Sequence, residues 1–127
     1  MGLIEEITNL EDLSRDSILS KMSSREIVAL GYDWKEWARP NQLPPPGEWH
    51  IWLIQAGRGF GKSRTAAEFV RGEVESGRAN RVALMARTSA DARDVMIEDM
   101  QNGPHSGLLA ISPPWFRPEY EPSNRLL

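Results

Sequence analysis

Apolar positions change their period several times along the chain, and each change marks a predicted element. Ile51, Trp52, Leu53 and Ile54 form a short unbroken apolar run, and Val82, Ala83, Leu84, Met85 and Ala86 form another. Runs of this length between turn signals predict strands over 49–55 and 81–86, buried on both faces as in a parallel sheet. Between them, Ala66, Ala67, Phe69, Val70 and Val74 fall on one side of a helical projection, and Arg71, Glu73 and Glu75 toward the other. This predicts a helix over 65–76 with Gly77 as its stop. After the second run, Thr88 with Asp91 can cap a second crossover helix. Its stripe is Ala92, Val95, Met96 and Met100, and Asn102-Gly103-Pro104 ends it. The middle of the chain therefore reads β-α-β-α, an α/β class with a parallel sheet and right-handed crossovers.

The flanks read differently. Residues 1–13 are acidic with scattered aliphatics, a short helix or a frayed end. Ser23 followed by Glu26 and the apolar Ile27, Val28 and Leu30 forms a capping-box pattern, so a helix is predicted over 24–30 with Gly31 as its stop. Tyr32 to Ala38 allows another helical turn or two, closed by Arg39-Pro40. Three consecutive prolines, Pro44 to Pro46, make 41–48 a stiff connector. Beyond His105 the chain is a proline-punctuated loop region, with an apolar stretch over 108–111 and the start of a further strand from Tyr120. The expected organisation is a helical segment over 1–40, a Pro-rich connector over 41–48, and the first part of an α/β domain over 49–127.

Composition narrows this picture. The 127 residues allow one domain at most, and 40% hydrophobic with 26% charged residues marks a globular chain, not a disordered one. No run of eighteen apolar residues exists, and the acidic start lacks the basic-then-apolar pattern of a signal peptide. The absence of cysteine excludes disulfides and thiolate metal sites and fits an intracellular protein. A formal net charge of −3 makes the chain no polycation, so any DNA contact would be local. Trp34, Trp37, Trp49 and Trp52 precede the first loop, where they suit core packing or a buttress for a pocket. His50 and His105 have no partners at metal-ligand spacing.

The chemistry is concentrated in Ala56-Gly57-Arg58-Gly59-Phe60-Gly61-Lys62-Ser63-Arg64, between the first strand and its helix. Glycines at 57, 59 and 61 let the backbone approach a ligand with its N–H groups pointing inward, and the helix adds its positive end at the same place. Lys62 would reach β- and γ-phosphates, and the Ser63 hydroxyl would ligate Mg²⁺. This is a phosphate-binding P-loop, with Ala56 where the strict G-x-x-x-x-G-K-[ST] pattern has glycine. The competing reading is a glycine-rich turn that binds nothing. No apolar strand ending in Asp-Glu follows residue 80. Ile97-Glu98-Asp99 falls on the predicted helix instead. The second acid that hydrolysis requires is thus not visible, and the chain is read as an incomplete P-loop NTPase domain, truncated before that acid.

Longer stretches resemble one family. Tyr32-Asp33-Trp34, Trp37-Ala38-Arg39-Pro40-Asn41-Gln42-Leu43-Pro44-Pro45, the loop through Thr65, and Ser112-Pro113-Pro114-Trp115-Phe116-Arg117-Pro118 with Tyr120-Glu121-Pro122-Ser123 are similar to the large terminase subunit of tailed bacteriophages. The resemblance runs from about residue 24 onward. It implies an ASCE-type P-loop fold and an ATPase that packages double-stranded viral DNA into proheads, with a separate nuclease domain. It further implies ATP and Mg²⁺ as cofactors, a portal protein and a small terminase subunit as partners, a homo-oligomeric ring, and assembly in the host cell cytoplasm. By resemblance, Gln42 reads adenine, 56–64 cradles the nucleotide, and Arg58 and Lys62 act on γ-phosphate charge. An ordinary loop role for Gln42 stays open, as does an Arg58 that faces solvent. Arg87, Thr88, Asp91 and Arg93 sit where translocases touch DNA, although a helix cap with solvated charges explains them as well. Two other readings stand beside the motor: a non-catalytic P-loop fragment that binds motor subunits, and a helicase-like ATPase.

Overall fold

The computed structural model describes residues 12–98, 107–124 and 126, and it divides into two units, Met1–Leu43 and Pro44–Leu127. In the first, α1 (Asp12–Lys21) is followed by α2 (Ser24–Gly31) and the single turn α3 (Trp34–Trp37). The expected capping box forms: the Ser23 hydroxyl accepts from the Glu26 N–H, and the Ser23 N–H donates to the Glu26 carboxylate at 2.7 Å. The Ser23 hydroxyl, donating to the same carboxylate at 2.7 Å, and then the Ser23 N–H favour the charged form and hold the Glu26 pKa below its ordinary 4.5. Asp33 caps α3 through the Lys35 N–H, and the Trp37 indole donates to Leu30 O at 2.9 Å, tying α3 back to α2. The sequence did not announce α1, because its few apolar residues form no helical stripe.

In the second unit, α4 (Lys62–Glu75) is the longest described helix. Ala67 on α4 clusters with Leu108 and Ile111 of α6 (Leu108–Ile111), and Val70 and Leu84 pack against them. Between these, Thr88 caps the short α5 (Ser89–Asp91) by accepting from the Asp91 N–H at 3.0 Å, and the chain then widens into a π-helix, Ala92–Glu98. The i→i+5 spacing of that helix displaces the expected stripe. Ile97 is buried, whereas Val95 is 46% exposed. Met100 and the Asn102-Gly103-Pro104 stop lie outside the described residues. Gly107 lets α6 approach the π-helix closely, since a Cβ there would sit 2.6 Å from Ile97 O.

The segments expected to be strands take another form. Residues 51–57 and 81–86 run without helix or ladder, and no β-ladder is present among the described residues. Ile51 is 85% and Leu53 78% exposed, while Trp52 and Ile54 are half-buried, so the side chains alternate as in a strand paired on neither edge. Trp52 and Trp49 pack with Phe69 of α4 at centroid distances of 5.5 and 6.0 Å, which fixes 49–52 against the helix. Toward the C-terminus, Glu121 and Leu126 form an isolated antiparallel bridge in place of the strand start expected from Tyr120. No described helix is long and apolar enough to cross a membrane.

Candidate functional site

The turn between the first extended segment and α4 takes the backbone form that its glycines permit. Gly59 and Gly61 are left-handed, at φ +84° and +87°, a region that side chains with a Cβ enter at a cost. Gly61 is also the N-cap of α4 and contributes no side-chain cap. The first N–H groups of a helix have no intrahelical acceptor, and the dipole gives that end partial positive charge, so an anion is favoured there. A Cβ added at Gly57 or Gly59 would meet nothing within 4 Å, so the space beside the loop is open.

Lys62 closes the turn. Its ammonium donates to Ala56 O at 2.7 Å and Gly57 O at 2.8 Å, drawing the two ends of the loop around one cation. Of the expected site residues, this bond set brings together Ala56, Gly57 and Lys62. Ser63 is exposed in the first turn of α4, and Arg58 is exposed at the turn with no ion pair among the described residues. Phe60 is half-buried. Arg64, expected at the nucleotide, is committed to Glu68, with Nε at 2.8 Å and a second guanidinium nitrogen at 2.7 Å from the same oxygen. Gln42 belongs to the first unit, where it is buried and its Oε1 accepts from the Arg39 N–H at 3.0 Å. That bond engages one side of the amide that adenine recognition would use.

Two features of α4 were not foreseen. Arg71, assigned by periodicity to the polar side, is buried and donates to Glu68 at 2.9 Å, so the Glu68 carboxylate sits between two guanidinium groups. Thr65 is completely buried, and its hydroxyl has no hydrogen-bond partner. The helical spacing of Arg64, Glu68 and Arg71 was visible in the sequence, but the burial that gives the set weight was not.

No group of three or more His, Asp or Glu able to hold a metal occurs among the described residues. A cavity of about 1310 Å³ lies away from the loop, along 80–90, and no residue of 56–63 lines it. Comparison with protein-family models, with curated proteins and with solved structures finds no match to this chain.

Proposed function

We propose that the chain is the nucleotide-binding front part of a tailed-bacteriophage terminase large subunit, the ATPase that drives double-stranded DNA through a portal ring into a prohead. The observation that carries this reading is the turn from Ala56 to Ser63. Its left-handed glycines, its Lys62 ammonium gathered onto Ala56 and Gly57, and the uncapped start of a 14-residue helix together make an anion cradle. In it, the 57–63 amides and Lys62 would hold the β- and γ-phosphates of ATP, and Ser63 would ligate the accompanying Mg²⁺. Bound ATP would supply the phosphoanhydride whose cleavage powers transport. Arg58, exposed beside the cradle, would meet γ-phosphate charge with its fixed fork of donors. The choice of terminase over a helicase-like ATPase rests on the Trp37–Pro45 lead and the Ser112–Pro118 segment. On this reading the partners are the portal protein, the small terminase subunit and double-stranded DNA, with a homo-oligomeric ring in the host cell cytoplasm.

A second reading, a loop that holds nucleotide without turning it over, rests on the same turn, in which the Lys62 ammonium is engaged by the Ala56 and Gly57 carbonyls. One titration tests the shared premise. Adding Mg·ATP at millimolar concentration to the ¹⁵N-labelled chain should move the amide signals of Gly57 to Ser63 before any others, and Lys62→Ala should remove those shifts while leaving the helical circular dichroism intact. Unmoved loop amides, or equal shifts in the Lys62→Ala chain, would overturn both readings. Turnover by the chain alone should stay near background, and sustained hydrolysis would sink the second reading.

A further inference from the structure

We propose that the cavity along 81–86 is a docking groove for an extended polypeptide strand supplied in trans, apolar at alternate positions and acidic at both ends. The groove has three properties that together select this occupant. Its walls are apolar, with Val70, Leu84, Ile97, Leu108 and Phe116 among them. One side is the extended 81–86 segment, whose backbone makes no ladder with any described residue. Its charge is one-sided: Arg71, Arg81, Arg87 and Arg93 line it, and no Asp or Glu among the described residues does, in a chain with formal net charge −3.

Two of those arginines are already neutralised, Arg71 by Glu68 at 2.9 Å and Arg93 by Asp94 at 2.6 Å. Arg81 and Arg87 are exposed and make no ion pair among the described residues. They stand at the two ends of the extended segment, about 20 Å apart at the rise of a strand. An added strand would satisfy the free N–H and C=O groups of 81–86, place alternate apolar side chains on the walls, and bring a carboxylate to each arginine. The volume, about 1310 Å³, exceeds that of an ordinary small-molecule pocket. Nucleic acid fits less well, because two unpaired cations over an apolar floor offer little to a phosphate backbone. The proposal is independent of the phosphate-binding reading, since the loop contributes nothing to this lining.

The test uses the full chain and a synthetic seven-residue peptide of alternating valine and threonine with a glutamate at each end. Hydrogen exchange should slow at 81–86 on adding the peptide, and the Arg81→Glu, Arg87→Glu double variant should lose at least tenfold in affinity. Both positions are exposed, so the variant should fold. A peptide with lysine ends, or with proline at its centre, should not protect the segment, and Lys62→Ala should bind the first peptide as the unmodified chain does. Peptide binding without protection at 81–86, equal affinity in the double variant, or displacement by duplex DNA would overturn the proposal. So would protection that appears without peptide and grows with protein concentration, which would make a second copy the occupant.

Discussion

At the scale of single residues, Thr65 carries the clearest unpaid polar group. A buried hydroxyl with no partner has lost its water without replacement, and such a group costs about 1–3 kcal/mol. Replacing it with valine keeps the branched shape and removes the orphan oxygen. Thr65→Val should therefore raise the melting temperature, with a gain on the order of 1 kcal/mol in chemical denaturation. A loss of that size would mean that the hydroxyl is satisfied in solution, by water or by a backbone carbonyl. The neighbouring loop residues differ in how readable they were. Glycines at 57, 59 and 61 point to a turn with positive φ, and Gly59 and Gly61 are left-handed whereas Gly57 is not. The Lys62 contacts to Ala56 and Gly57 were not legible, since they depend on how far the loop folds back.

At the scale of elements, α4 is held by an ion cluster as well as by its apolar face. Glu68 is 4% exposed and Arg71 9%, and the Glu68 carboxylate between Arg64 and Arg71 offsets their desolvation. Glu68→Gln would leave Arg71 with Glu75, a more distant and exposed counter-charge at 3.7 Å. It should destabilise by roughly 2 kcal/mol, less than the loss of an unshared buried pair, read from urea unfolding followed at the helical signal. The pair Arg78–Glu73, at 2.8 Å but largely exposed, provides the contrast. Arg78→Ala should leave the unfolding midpoint unchanged, because such a pair is screened by water and loses side-chain freedom on forming. Equal effects from the two substitutions would contradict the difference in burial. Helical elements were largely visible in the sequence through their caps: Ser23 with Glu26 and Thr88 with Asp91 both form as expected. What followed Thr88 was not visible, because a π-helix shifts the inward position from Val95 to Ile97, and a 3.6-residue period cannot anticipate that.

At the scale of the whole molecule, the deciding fact is how few described residues are buried. Ala67, Leu108 and Ile111 form the core cluster, with Ile97 buried nearby and Val70 and Leu84 packed partly against it. The sequence marked 49–55 and 81–86 as strands by their unbroken apolar runs, yet both remain extended without a ladder. A run of apolar residues records that a segment suits burial between neighbours, and it does not supply those neighbours. Opening free energies should then divide sharply within one chain. The amides of α4 from Ala67 to Arg71 have intrahelical acceptors and sit over the core, so their exchange requires the unit to unfold. Those of 51–56 and 81–86 lack ladder acceptors and should exchange close to the rate of an unstructured peptide, at least tenfold faster than α4 at the same pH and temperature. Hydrogen exchange read residue by residue by NMR would measure both sets in one sample. Protection of 81–86 equal to that of α4 would show that these apolar runs had found strand partners after all. The parallel sheet expected from the β-α-β-α pattern would then be formed in solution, and the groove along 81–86 would be closed to any further strand.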